Sequence, residues 1–165
     1  MPVIGGPLLA KNFVKYTERF LKEVNVDMTK VSSLIEGAVK VNAGVSDHSS
    51  KDLADLGHPY AKRSPNPPHN PEWLVHKQSG ALLRAVYKGT NPASINSGTL
   101  TASAFCGVDE FMVPYARYLV FGTSKMIPRN FLRGSLNDVA YDAKEILRRS
   151  LNGVTVSFDG ERTKL

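Results

Sequence analysis

The four histidines are the first residues to test for chemistry, because imidazole binds metals and transfers protons near neutral pH. They are His48, His58, His69 and His76, separated by ten, eleven and seven residues. A zinc site needs ligands at short, fixed spacings, as in H-E-x-x-H, and no cysteine or glutamate stands at such an offset. The sequence therefore predicts no metal site, no catalytic histidine and no bound cofactor.

Other catalytic patterns are equally weak. Ser79, His76 and Asp55 could be combined into a nucleophile and base, but the chain has no G-x-S-x-G turn to present a serine. Gly5-Gly6 is not followed by the lysine and serine of a phosphate-binding loop. The single cysteine, Cys106, lies in an alternating apolar stretch, which favours a buried, inert thiol. We expect the protein not to be an enzyme.

The charge balance allows two interpretations. The chain of 165 residues has a formal net charge of +6 and a pI of about 9.5. Such an excess suits an ordinary soluble protein, and it also suits a surface that faces nucleic acid or an acidic partner. The candidate contacts with DNA or an acidic partner are Arg129, Arg133, Arg148 and Arg149.

A proline-rich segment interrupts the chain between residues 57 and 75. It contains five prolines within HPYAKRSPNPPHNPEW, a density that excludes regular structure and indicates an extended arm. Its aromatic and basic residues resemble a sparse form of a single-strand-binding groove, but a solvated loop or a subunit contact explains them better. The candidate contacts with a neighbouring subunit or partner are Tyr60, Lys62, Arg63 and Trp73.

The remaining elements are predicted from hydrophobic periodicity. Apolar residues recur every three or four positions from Leu8 to about Val41, which predicts one long helix, although Asn25 and Asp27 leave two helices open. Pro128 opens a second helix that ends at Asn152-Gly153. A short helix is expected to end at Gly57.

Between the two long helices the period changes to that of strands. Strands are predicted at Leu82–Tyr87 and Thr99–Cys106, with turns at Asn91-Pro92 and at Gly107-Val108-Asp109. Tyr115–Phe121 could be a strand or a short helix. A last strand is predicted at Val154–Phe158, followed by a mobile tail over residues 159–165.

These elements predict one α+β domain over residues 1–165. A small, mostly antiparallel sheet would be packed by a long N-terminal helix and a C-terminal helix, with the proline-rich arm projecting. No stretch reaches the roughly 18 apolar residues that span a bilayer, and the N-terminus lacks a basic region before its short apolar run. We therefore expect no membrane partner and synthesis in the cytoplasm.

Three short segments resemble a known family. Pro114–Thr123, followed by Met126–Leu132, is similar to the signature of phage tail-completion proteins: a Tyr-Ala pair, an aromatic–Gly-Thr turn, and a Pro/Arg-Phe-Leu entry into the C-terminal helix. His76–Leu83 and Asp52–Ala61 resemble two further family segments, and the matched pieces cover about a third of the chain. We call this turn the structural elbow, and its residues are Tyr115, Ala116, Gly122, Thr123, Pro128, Phe131 and Leu132. Gly122 is expected to adopt a positive φ, which lets the chain turn sharply after the apolar run. Two positions depart from the family pattern: Val120 stands nearest the place of an acidic residue, and Asn130 stands in place of a proline.

The resemblance implies a structural virion protein of the neck of a long-tailed bacteriophage, made in the host cytoplasm. Its subunits would form a homo-oligomeric ring, most often a hexamer, that joins the DNA-filled head to the tail. Its partners would be the head connector or head-closure protein, the tail terminator or tail tube protein, and double-stranded DNA passing without sequence specificity. Two alternatives stay open: a tail terminator or head-closure subunit, and a small basic DNA-binding module.

Overall fold

The computed structural model describes residues 6–45, 73–77 and 79–162, and the side chains of residues 11–45, 73–77 and 79–152. Its elements are α1 (Gly6–Asn42), α2 (Ala81–Arg84), β1 (Val86–Asn96), β2 (Thr99–Val108), α3 (Ala116–Phe121) and α4 (Phe131–Arg162). The two strands form an antiparallel sheet, and two long helices accompany it, so the predicted α+β class is confirmed. The short helix expected before Gly57 lies outside the described residues.

Helix α1 runs unbroken through Asn25 and Asp27, which settles the choice between one helix and two. Both side chains are engaged within the fold. Asn25 Oδ1 accepts a hydrogen bond from the Ala93 amide at 2.7 Å, and Asp27 Oδ1 accepts one from Lys30 Nζ at 2.7 Å. Because these polar groups have partners outside the helix backbone, they do not compete with its hydrogen bonds.

Strands β1 and β2 form a hairpin, and its turn is not where the sequence suggested. Ser97 and Gly98 have φ values of 50° and 79°, the pair of positive φ angles found in tight two-residue turns. The turn predicted at Asn91-Pro92 is therefore wrong, since β1 continues through both residues to Asn96.

Pro92 is accommodated by a β-bulge. Ser94 and Thr101 are equally far from the turn and contact each other at 3.1 Å, whereas Asn91 contacts Ser103 at 2.7 Å. Between these contacts β1 has two residues and β2 has one. Proline lacks an N–H, so a bulge is one of the few places where a strand tolerates it. The amide of Ala93, the other bulge residue, is the one that donates to Asn25 on α1.

Two aromatic rings lie over glycines on one face of the hairpin. A Cβ at Gly89 would come within 2.5 Å of Phe105 Cζ, and a Cβ at Gly107 within 2.8 Å of Tyr87 Oη. The opposite face meets α1, because Lys88 Nζ pairs with Glu36 Oε2 at 2.5 Å. Adjacent residues of a strand point to opposite faces, so α1 holds one side and leaves both rings on the exposed side.

Several predicted element types or boundaries are wrong. Leu82 and Leu83 lie in the helical turn α2, and β1 begins only at Val86. Val108 still belongs to β2, and the following turn comes after it. For Tyr115–Phe121, where both a strand and a short helix were open, the short helix is confirmed. Short apolar runs do not distinguish these states by periodicity, because neither has room for a full repeat.

The second long helix differs from its prediction at both ends. It begins at Phe131, three residues after Pro128, and continues through Gly153 to Arg162. No strand forms at residues 154–158, and residues 159–162 of the predicted mobile tail are helical. A glycine inside a helix costs only about 1 kcal/mol, which the preceding turns of α4 can offset.

The described residues fall into two compact units. One comprises the described parts of Met1–Val31, Thr90–Ala104 and Asp142–Leu165, and its buried apolar side chains are Val24, Val31 and Ala93. The other comprises the described parts of Ser32–Gly89 and Phe105–Tyr141. Its most buried apolar residues are Val39, Phe131 and Val113, each at most 1% exposed.

Candidate interaction surface

The predicted elbow is a compact structural turn. Helix α3 ends at Phe121, and Gly122 follows with φ 73°, so the positive φ expected of this glycine is confirmed. A Cβ there would lie 2.8 Å from the Met126 carbonyl oxygen and 2.9 Å from Pro128 N. Gly122 is therefore required both by its backbone conformation and by the close approach of the returning chain.

Polar side chains cap both parts of the turn. Thr123 Oγ1 accepts hydrogen bonds from the Lys125 and Met126 amides at 3.2 and 3.0 Å, as expected for a turn threonine. Asn130 Oδ1 accepts one from the Arg133 amide at 3.0 Å. Asn130 is thus the N-cap of α4, a role that proline could not fill.

Arg129 is not a surface residue. Its side chain is 1% exposed, and Nη1 donates to the Leu74 carbonyl oxygen at 3.1 Å. Its amide bonds the Leu119 carbonyl oxygen, which closes the elbow onto α3. The prediction that Arg129 contacts DNA or an acidic partner is therefore wrong for this conformation, since its guanidinium joins two segments of its own chain.

The end of the predicted arm is anchored in the chain's own core. Val75 is 4% exposed, and its amide donates to the Asn42 carbonyl oxygen at 2.8 Å. Trp73 is half-buried, and its ring lies against Gly134 in α4. Trp73 therefore has an internal contact, which its assignment to a neighbouring subunit did not foresee. The other three candidates of the arm, Tyr60, Lys62 and Arg63, lie outside the described residues.

Exposed aromatic side chains cluster in sequence around α3. Phe111 is fully exposed, Phe121 is 79% exposed and Met112 60%, while Tyr115 and Tyr118 are nearly half exposed. We call these five residues the α3 segment. The helix is held from its other side by Ala116 and Leu119, which are 3% and 8% exposed.

The α3 segment was not predicted as a surface. The signal was present in the spacing: Tyr115, Tyr118 and Phe121 recur every three residues, whereas Ala116 and Leu119 occupy the positions between them. In a helix these two sets lie on different faces. Arg117 also contributes here, since its guanidinium lies 4.8 Å from the Tyr118 ring centroid.

The three other basic candidates are exposed but do not belong to one unit. Arg133 lies on the first turn of α4, in the unit that contains the elbow. Arg148 and Arg149 lie further along α4, in the other unit, and Arg148 pairs loosely with Glu145 at 3.8 Å. Of the four predicted arginines, one is therefore buried, and the exposed three are divided between the two units.

The side chains most capable of chemistry, His76 and Cys106, are packed within the fold. His76 is 4% exposed, and its backbone forms a bridge with Val45. Burial raises the pKa of the Cys106 thiol, and the nearby Glu36 carboxylate adds to that effect. Across residues 6–45, 73–77 and 79–162, no three side chains among His, Cys, Asp and Glu converge to hold a metal. Nor does any helix in these ranges combine the length and apolar character of a membrane span.

Asp27 is the most buried carboxylate of the described side chains. It is 4% exposed and accepts hydrogen bonds from Lys30 and from Ser150 on α4. Burial alone would raise the pKa of Asp27, but the two hydrogen bonds and the positive charge of Lys30 together outweigh burial and hold the pKa below its ordinary value. The contact joins α1 to α4 within one unit, which is a structural role.

The functional features are thus a rigid elbow, an exposed aromatic segment beside it and scattered basic side chains. Comparison of the chain with protein-family models, with curated proteins and with solved structures found no match in any of the three.

Proposed function

We propose that the protein is a structural subunit of a bacteriophage neck, which assembles into a ring that joins the DNA-filled head to the tail. The observation that supports this best is the exposure of the α3 segment, because it lies in the same stretch that carries the resemblance to tail-completion proteins. Phe111 and Phe121 expose 100% and 79% of their surface. Large exposed apolar side chains of this kind mark contact surfaces.

The geometry of the elbow suits a contact that must be rigid. Gly122 and the hydrogen bond from Arg129 to the carbonyl oxygen of Leu119 fix the end of α3, so its aromatic face is presented in one orientation. Aromatic residues and arginine dominate the energetics of protein interfaces, and both are present in Tyr118 and Arg117. A preorganised surface loses less entropy on association than a mobile one.

A ring requires that each subunit present two different surfaces, because closed cyclic symmetry is built from head-to-tail contacts. The α3 segment is one such surface. We propose that it binds an adjacent copy of the chain or a neighbouring neck protein, namely the head connector, the head-closure protein, the tail terminator or the tail tube protein. A tail terminator or head-closure subunit would use the same kind of contact and remains the alternative within this class.

Solution mass with and without the aromatic residues tests the proposal. Full-length wild type should show a concentration-dependent mass approaching about six times the 18.1 kDa of one chain. The variant Phe111→Ser/Phe121→Ser should remain monomeric and should fail to join purified heads and tails. Both side chains are mostly exposed, so folding measured by circular dichroism should be unchanged.

The matched control removes two exposed aromatics elsewhere. Phe13 and Tyr141 are 66% and 74% exposed, and Phe13→Ser/Tyr141→Ser should assemble and join heads to tails like wild type. If the α3 variant completes particles at the normal yield, the proposed contact is wrong. If wild type stays monomeric even in the presence of heads and tails, the proposed ring is wrong.

The small basic DNA-binding module is the alternative of another class. It predicts a monomer that binds duplex DNA and has no effect on the joining of heads and tails. The same mass and joining measurements therefore separate the two classes.

A further inference from the structure

Helix α1 carries a row of basic side chains on the face opposite its apolar face. Lys11, Lys15, Arg19 and Lys22 are spaced by four, four and three residues. At about 100° per residue they fall within an arc of about 80°. Val24 and Val31, both buried, lie on the opposite side of the helix. We call these four residues the α1 basic stripe.

The stripe is exposed and largely without acidic partners. All four side chains are exposed, and only Arg19 forms an ion pair, with Glu23 at 3.5 Å. Lys11, Lys15 and Lys22 pair with no carboxylate of the described residues. The acidic residues of this half of the helix, Glu18 and Glu23, flank the arc and do not enter it.

In the sequence the two signs of charge are interleaved, since Glu18 stands next to Arg19 and Glu23 next to Lys22. The helical register separates the two signs of charge. Among the arginines predicted to contact DNA, Arg129 is a weaker candidate than any residue of the stripe, because its side chain is buried.

We propose that the α1 basic stripe binds the phosphate backbone of double-stranded DNA without sequence specificity. The four charges extend over about 16 Å along a straight helix. A duplex carries about one negative charge per 1.7 Å of its axis, so phosphates are available to every charge of the stripe. No aromatic residue lies within the arc, which argues against a stacking site for single strands and for a purely electrostatic contact.

The inference goes beyond the proposed neck function and does not rest on it, because a basic helix face binds phosphates whether or not the chain forms a ring. It also assigns the contact to α1, within the unit that contains Met1–Val31, and not to the elbow.

Salt dependence gives the test a quantitative form. Each phosphate contact contributes about −0.9 to the slope of log K against log salt. With four contacts, duplex affinity should fall on the order of 150-fold between about 50 and 200 mM salt. The variant Lys11→Gln/Lys15→Gln/Lys22→Gln keeps only Arg19, and its affinity should fall only about 3- to 4-fold over the same range. Fluorescence anisotropy of a labelled short duplex, with the full-length protein, measures both.

The matched control is Lys77→Gln/Lys125→Gln/Lys144→Gln, which removes the same charge from exposed lysines elsewhere. Its slope of log K against log salt should differ from that of wild type by less than the contribution of one phosphate contact, about 0.9. The oligomeric mass of both variants should equal that of wild type, which separates this test from the test of ring assembly.

Three outcomes would overturn the inference. The first is a wild type that does not bind duplex DNA at about 50 mM salt. The second is an equal loss of salt dependence in the stripe variant and the control, which would mean that net charge alone governs binding. The third is displacement of the duplex by polyglutamate as effectively, per charge, as by unlabelled duplex, which would show that the stripe binds any polyanion and does not select duplex phosphates.

Discussion

Replacement by alanine should change the free energy of unfolding in opposite directions at two helical glycines. Gly134 in α4 is buried against Trp73, and a Cβ there would lie 2.5 Å from the ring carbon Cγ and 2.6 Å from Nε1. Gly37 in α1 is exposed, and a Cβ there would have nothing within 4 Å. Gly134→Ala should therefore destabilise the protein, whereas Gly37→Ala should stabilise it.

The expected magnitudes follow from the geometry. Alanine is favoured over glycine inside a helix by about 1 kcal/mol, and this gain applies at both positions. At Gly134 the new methyl group would lie far inside the usual contact distance of about 3.5–4.0 Å from a rigid ring. Overpacking of this kind costs about 1–3 kcal/mol, and the severity of the contact favours the upper half of that range. The net effect should be a loss of about 1–2 kcal/mol at Gly134 and a gain of about 0.5–1 kcal/mol at Gly37.

Urea denaturation at 25 °C, followed by far-ultraviolet circular dichroism, measures both changes. The slopes of the unfolding transitions should match that of wild type, so that midpoints report stability. In a Trp73→Leu background the obstructing ring is absent, and Gly134→Ala should become neutral or stabilising. The reasoning is refuted if Gly134→Ala stabilises the wild-type chain, or if its cost is the same with and without Trp73.

Three further predictions concern the elbow and two polar groups. Gly122→Val should lower the free energy of unfolding by about 1–3 kcal/mol, because it forces a β-branched residue to a φ of 73°; an unchanged urea midpoint would contradict this. Asn130→Ala should cost about 1 kcal/mol through loss of the α4 N-cap, and Asn130→Asp should restore most of it. The pKa of Asp27 is lowered in the folded state, so its contribution is complete at neutral pH and is lost as pH falls through the folded pKa, below about pH 4. The acid-induced loss of stability should therefore be smaller in Asp27→Asn, and equal pH dependence in the two proteins would show that the Lys30 and Ser150 hydrogen bonds contribute nothing.

The long elements could be predicted from the sequence because their signals are local. The apolar residues of α1 repeat over ten turns, and Asn25 and Asp27 cannot end a helix whose neighbouring turns all favour it. The alternation in β2 likewise extends over enough residues to be unambiguous. The positive φ of Gly122 could be predicted because a glycine directly after an apolar run indicates a sharp turn, which depends only on the local backbone.

The errors arise where distant residues decide the outcome. Asn91-Pro92 is a common turn signal, but here the proline lies in a β-bulge. The amide of Ala93, the other bulge residue, donates its hydrogen bond to Asn25, which is 68 residues away in the chain. Arg129 looked like a surface cation, but its guanidinium bonds a carbonyl 55 residues earlier in the chain. Neither hydrogen bond can be predicted from the neighbouring residues, because the two partners are far apart in the sequence.

Substitutions on the two faces of α3 would separate an effect on folding from the proposed effect on association. Along one short helix, Ala116 and Leu119 face the core, whereas Tyr118 and Phe121 face outward. A polar residue at Leu119 would leave a cavity and an unsatisfied group in the core, so it would lower stability and association together. A polar residue at Phe121 removes exposed apolar surface and touches no core contact, so stability should hold while association falls. If substitutions on both faces acted only through stability, the exposed aromatics would have no role in assembly, and the resemblance would extend to the fold of the elbow alone.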